Sequence, residues 1–271
     1  MAQVKVGVHV SIAGSLDLAV DRAKDAGCNV FQQFSRNPRG WSSKPLSDPD
    51  CELYKKKIAT TGLLPVDHMP YLPNLASPKP EIWDKSVQSL TAELDRCGKL
   101  GIPYLVTHLG HHLGDGIAGG RARVIKAINT ALDSSGSATM LLLENTAGER
   151  NSVGSSFEHI GAILAGLSEE KRVGVCFDTC HAAALLDDIA EERLERVVHE
   201  HKRLAEEQAV LGAADVECVA ELREILGDQI IGVGDERRGH ARICRLWKKP
   251  YRRCRIPGAQ TKKEPGREPP G

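Results

Sequence analysis

No stretch of the chain is apolar for the 18 or so residues that a bilayer-spanning helix needs, and the opening MAQVKVGVHV lacks the basic-then-apolar order of a secretory signal. A cytoplasmic protein that does not touch membrane is the expectation. C-x-x-C pairs are missing too: Cys28, Cys51, Cys97, Cys176, Cys180, Cys218, Cys244 and Cys254 are scattered. That spacing speaks against a disulfide frame or a cysteine zinc site and for reduced thiols, most of them small buried hydrophobes. Net charge is also absent, with 36 Lys+Arg against 36 Asp+Glu, but the balance is uneven. Residues 235–271 hold 12 basic and 4 acidic residues, net +8, which leaves net −8 for residues 1–234.

What is present is a soluble core-forming composition, 41% hydrophobic and 27% charged over 271 residues, enough for one barrel-sized domain. A strand-then-helix repeat starts at once. VKVGVHV reads as a strand ending near His9, followed by a Ser15-capped amphipathic helix closed by Gly27. NVFQQFS is a second strand, and SRNPRGW (35–41) a loop with two arginines and a tryptophan among turn residues. A helix over 47–61 leads to GLLPVDH, ending on His68, then to the proline-rich MPYLPNLASP and a helix over 81–100. IPYLVTH ends on His108, with a helix expected over 121–133; TMLLLEN carries Glu144, with a helix over 157–167. RVGVCFDTCH is an uncharged β-branched run that ends on Asp178, with His181 three residues on.

His9, His68, His108, Glu144 and Asp178 each close an apolar run, and the last four lie 40, 36 and 34 residues apart, about one βα unit each. Six such units in series predict a (β/α)-barrel, with these side chains converging at its C-terminal mouth. An open parallel sheet would bring together only those near its switch point. A lone histidine after a strand is ordinarily a hydrogen-bonded loop residue, and an aspartate there an N-cap. Four or five imidazoles and carboxylates at matching strand ends are instead the ligand set of zinc or a similar dication, and a glutamate with two oxygens can bridge two ions. His9 could be a ligand, a substrate contact or a structural donor; His112 and His159 read as surface or helix residues.

The pieces GVHVSIAGS, HMPYLPNLASP, THLGHH, LLLENTAGE and GVCFDTCHAAA, in this order, resemble the endonuclease IV family of apurinic/apyrimidinic endonucleases over about residues 4–186. The resemblance implies a TIM barrel with three zinc ions that hydrolyses the phosphodiester 5′ to an abasic site in double-stranded DNA and leaves a 3′-hydroxyl, as a deoxyribonuclease IV does. It implies His68 and His108 as ligands of one zinc, Glu144 as the bridging and catalytic carboxylate, Asp178 as a ligand of the second ion and His181 of the third. Arg39 and Tyr71 resemble side chains that the family inserts into DNA, with His9 as a further DNA contact. A monomer is expected.

The family's remaining ligand motifs, H-x-N-D, D-x-H and a late Glu, cannot be read in this chain. His199 and His201 sit in a charge-paired helical pattern, and Asp235 and His240 are five apart. From the sequence alone one or two metals are supported. The expected organisation is a catalytic barrel over 1–234, incomplete or aberrant in its last two units, and a poorly ordered basic Pro/Gly-rich tail over 235–271. If that tail stems from a reading-frame change, the barrel has open sheet edges; if it is a real extension, its charge suits DNA phosphates. Competing functions are a metal-dependent sugar isomerase or epimerase on a related barrel, and a catalytically impaired DNA-binding remnant.

Overall fold

The computed structural model describes residues 5–179, 181, 230–235 and 240–245. Six βα-type strands run in chain order: β1 (Lys5–His9), β2 (Val30–Gln33), β3 (Leu64–His68), β4 (Tyr104–Thr107), β5 (Met140–Glu144) and β6 (Val173–Asp178). Each pairs in parallel with the next. Between them lie α1 (Asp17–Asp25), α2 (Asp48–Thr61), α3 (Pro80–Leu100), α4 (Ile117–Ser134) and α5 (Phe157–Leu164).

Strand alternation sorts the side chains into two layers. Val30, Val66, Val106, Leu142 and Cys176 form one fully buried cluster inside the barrel. Their neighbours Phe31, Leu105, Leu141 and Leu143 face the other way, into the core shared with the helices. On α3 the stripe Val87, Leu90, Leu94 and Cys97 fills that core at helical spacing. Truncating the fully buried Leu90 to alanine would cost about 2–5 kcal/mol.

Two close approaches dictate glycine. Gly7 pairs with Val30, and a Cβ there would lie 1.5 Å from the Val30 carbonyl oxygen. In α4, a Cβ on Gly120 would come within 2.8 Å of His112 Cβ and 3.0 Å of Val153. The helix runs from Ile117, four residues before the start expected at 121, and tolerates Gly120 because that close packing requires it. Ser15 does not cap α1: its hydroxyl donates to the Asp17 carboxylate, and Leu16 occupies the N-cap position. Ser47 does cap α2, accepting from the Asp50 amide at 3.2 Å.

The last two units depart from the (β/α)8 pattern, as the sequence led us to expect. β7 (Ile230–Asp235) pairs in parallel with β1, but β8 (His240–Arg245) is antiparallel to both β7 and β6. The strand order β1-β2-β3-β4-β5-β6-β8-β7 closes the sheet. Open edges, the expectation for a barrel cut short, are thus not found among the described residues: the backbone groups of β6 and β7 are met by β8. Six residues of the tail that composition marked as poorly ordered form this strand. His199, His201 and most of 235–271 lie outside the described residues.

Candidate metal centre

The barrel's inner layer sets the position of the site. Two residues beyond Val30, Val66, Val106, Leu142 and Cys176, on the same inward face, come Gln32, His68, His108, Glu144 and Asp178. A sequence period of two thus lifts one ring of side chains above an apolar floor, at the C-terminal rim.

His68 is fully buried, and its Nδ1 lies 2.7 Å from the Met69 carbonyl oxygen. A carbonyl only accepts, so Nδ1 carries the proton and Nε2 presents a lone pair. That lone pair faces Glu144 Oε2 at 3.2 Å. His108 Nε2, from the residue after β4, approaches the same oxygen at 3.3 Å. Two acceptors, His68 Nε2 and Glu144 Oε2, face one another at this range only with positive charge between them, either an added proton or a cation. Ligand atoms about 2.0–2.1 Å from a tetrahedral ion stand about 3.3 Å from one another, so both spacings match a shared zinc-like dication.

A second group adjoins the first. The Asp178 amide donates to Asn145 Oδ1 at 2.6 Å, and Asn145 Nδ2 donates to the Asp178 carbonyl at 3.0 Å, which fixes the end of β6 against the end of β5. Asp178 Oδ1 accepts the His181 amide at 3.0 Å. The ordinary capping role for this aspartate therefore holds, and its Oδ2 lies 3.7 Å from His181 Nδ1. His181 Nδ1 donates to the Asn145 carbonyl at 2.8 Å, so its Nε2, like that of His68, presents a lone pair. Within each of the two triads, His68–His108–Glu144 and Glu144–Asp178–His181, ligand atoms lie within 4.8 Å of one another, with Glu144 common to both. The donor set, imidazole nitrogen and carboxylate oxygen with the His68 and His181 tautomers held by backbone carbonyls, fits a divalent metal.

The remaining candidates stand around this centre. His9 belongs to neither triad: its Nδ1 is 3.0 Å from Gln32 Oε1 and its ring packs on Phe34 at 4.7 Å. Phe34 in turn touches the rings of His68 and Tyr71, at 5.6 and 5.4 Å. Tyr71 is 56% exposed, and its amide donates to the Pro38 carbonyl at 3.1 Å, which ties its loop to the one carrying the exposed Arg39. A hollow of about 200 Å³ opens beside the centre, lined by Tyr71, Thr107, His108, His111, Thr146 and Glu149 among others. His159 lies on α5, where burial and the charge of Arg121 lower its pKa.

Asn145, Gln32 and Phe34 were missed as parts of this site. Asn145 follows Glu144 directly, but an amide that acts through backbone bonds leaves no pattern in sequence. Gln32 could have been found from its place in the alternation, two residues past Val30.

Residues 20–218 match the model of the xylose isomerase-like TIM barrel family. The chain is 48% identical over 258 residues to probable endonuclease 4 of Methanoculleus marisnigri, covering 92% of this chain and 86% of that protein. It is 59% identical over 193 residues to probable endonuclease 4 of Methanosphaerula palustris, covering 70% and 68%. The crystal structure of endonuclease IV from Thermus thermophilus superposes with a TM-score of 0.62 at 36% identity, over 70% of this chain and 68% of that one.

Proposed function

Because this chain belongs to the endonuclease IV family within the xylose isomerase-like TIM barrels, we propose that it is a zinc-dependent DNA-repair endonuclease. It cuts the phosphodiester 5′ to an abasic site. The observation that carries this reading is the pair of ligand triads hinged on Glu144, flanked by loops that offer an exposed arginine and tyrosine.

His68, His108 and Glu144 would hold one cation and Glu144, Asp178 and His181 a second. Ligands for a third are not found among the described residues. When bound, such cations supply charge neutralisation for the phosphodiester and acidify the attacking water. Glu144, common to both triads, would offer a carboxylate oxygen to each cation. Water oxygen bonds to phosphorus, the P–O3′ bond breaks, and the leaving oxygen takes a proton to become the 3′-hydroxyl. Arg39 and Tyr71 enter the duplex and His9 makes a further DNA contact. An abasic nucleotide has no base to unstack or unpair, so it is extruded at least cost, and this gives selectivity. Among the described residues no helix is long and apolar enough to cross a membrane. We assign the protein to the cytoplasm as a monomer.

The test is incision of an end-labelled duplex with one stable abasic analogue, beside the undamaged duplex. One cut on the 5′ side, a polymerase-extendable 3′ end, loss with chelator and recovery with zinc are expected. Equal cutting of both duplexes, or none with zinc present, contradicts the reading. Conversion of a ketose to its epimer by the same preparation would favour the sugar-enzyme alternative.

A further inference from the structure

Under the Arg39 loop lies a buried group of charges that the metal centre does not use. Glu93, on α3, is fully buried, and its Oε2 accepts from Arg36 Nε at 2.6 Å while its Oε1 accepts from the Ser35 hydroxyl. Arg36, itself buried, donates through Nη2 to Ser89 Oγ at 2.6 Å and through Nη1 back to the carbonyls of Gly40 at 2.8 Å and Trp41 at 3.1 Å. Arg96, one turn along α3, lies 3.8 Å from Glu93 Oε1 and spans the loop from below. It donates to Ser35 Oγ at 2.8 Å, to the Ser35 carbonyl at 2.5 Å and to the Lys44 carbonyl at 3.0 Å.

Two guanidinium forks thus close both ends of the segment 35–44, and one carboxylate holds both. Such planar forks fix geometry as well as charge. A buried ion pair is a poor source of net stability, since desolvation offsets most of its attraction. Its use here is conformational. With turn residues Asn37, Pro38 and Gly40, the loop would otherwise sample several shapes.

We propose that Glu93, acting through Arg36 and Arg96, is the positioning residue that holds the loop 35–44 in the shape that presents Arg39 beside the Tyr71 segment. The loop is then ordered before DNA arrives, and its ordering cost falls on folding rather than on binding. This inference rests on the proposed reading of Arg39 as a DNA contact.

Two measurements on the full-length, zinc-loaded protein test it. In hydrogen exchange without DNA, E93Q is expected to speed exchange of the 36–44 amides by about tenfold or more while the amides of β4 and β5 and the metal content stay as in wild type. Unchanged protection in the loop overturns the proposal. In binding to an abasic duplex, E93Q is expected to weaken affinity about tenfold in the wild-type background but less than about twofold beside R39A, since removing Arg39 removes what the loop presents. Equal weakening in both backgrounds overturns it. R96Q, which keeps the Glu93–Arg36 pair, is measured in the same two ways and decides the matter if E93Q does not fold. A wild-type protein that fails to bind the abasic duplex would sink the functional reading alone, because the exchange experiment still judges the loop.

Discussion

Glu144→Gln tests the shared carboxylate. The amide keeps the length of the side chain and one carbonyl oxygen but loses the charge on which both triads depend. A cation supplied at about a hundred times its dissociation constant stabilises a protein that binds it only when folded by about 2.7 kcal/mol. For a chain of this size each kcal/mol is worth roughly 2–4 °C in Tm, so zinc should raise the wild-type midpoint by about 5–11 °C for each site it fills. The assay is a thermal melt of chelator-stripped protein, repeated after zinc is added back. Each protein is compared with its own stripped state, so any effect of the substitution on the metal-free fold cancels. E144Q should gain less than about 2 °C, because each triad keeps only two of its three charged or imidazole ligands. A zinc-dependent rise in E144Q as large as that of wild type would refute the reasoning, and the two triads would have to be read as an imidazole–carboxylate hydrogen-bond cluster.

Asn145→Ala removes both side-chain bonds to the Asp178 backbone, the shorter of them 2.6 Å, in a buried spot. It should cost about 1–3 kcal/mol in denaturant melts and lower zinc affinity at the Asp178–His181 end, while the His68–His108 end still binds; loss of neither would remove Asn145 from the site. Tyr71→Ala should weaken abasic-duplex binding measured by anisotropy and leave the zinc content unchanged; a loss of zinc instead would make Tyr71 part of the metal site. Lys57, 2.7 Å from Asp17, holds that carboxyl below its ordinary pKa and joins α2 to α1. A carboxyl with a lowered folded pKa adds stability above its ordinary pKa, and that stability is lost as pH falls through the lowered value. The advantage of wild type over K57M, below about 1 kcal/mol for a half-buried pair at the protein surface, should be present at pH 7 and vanish at strongly acid pH. An advantage unchanged across that range would place it in packing.

How much was legible in sequence follows from which interactions are local. A strand's alternation is fixed by its own backbone, so apolar runs ending on His68, His108, Glu144 and Asp178 already placed those side chains on one face, and the regular βα spacing placed the strand ends at one rim. His181 followed from its spacing to Asp178. The Glu93–Arg36 pair was invisible because its partners are 57 residues apart and each looks like an ordinary surface charge until α3 is laid on the barrel. β8 was invisible for a related reason. Its pairing is dictated by the open backbone groups of β6 and β7, and no composition rule for a six-residue segment amid arginines and lysines anticipates that. Ser15 shows the converse failure: a good capping residue whose hydroxyl is taken by Asp17 instead.

Locating the metal itself is the most direct test of the whole account. Anomalous diffraction from crystals of the zinc-loaded protein should place an ion about 2.0–2.2 Å from His68 Nε2, His108 Nε2 and a Glu144 oxygen, with a second on the Asp178–His181 side of the same glutamate. Zinc found only elsewhere, with His68 and His108 still hydrogen-bonded to Glu144, would contradict it.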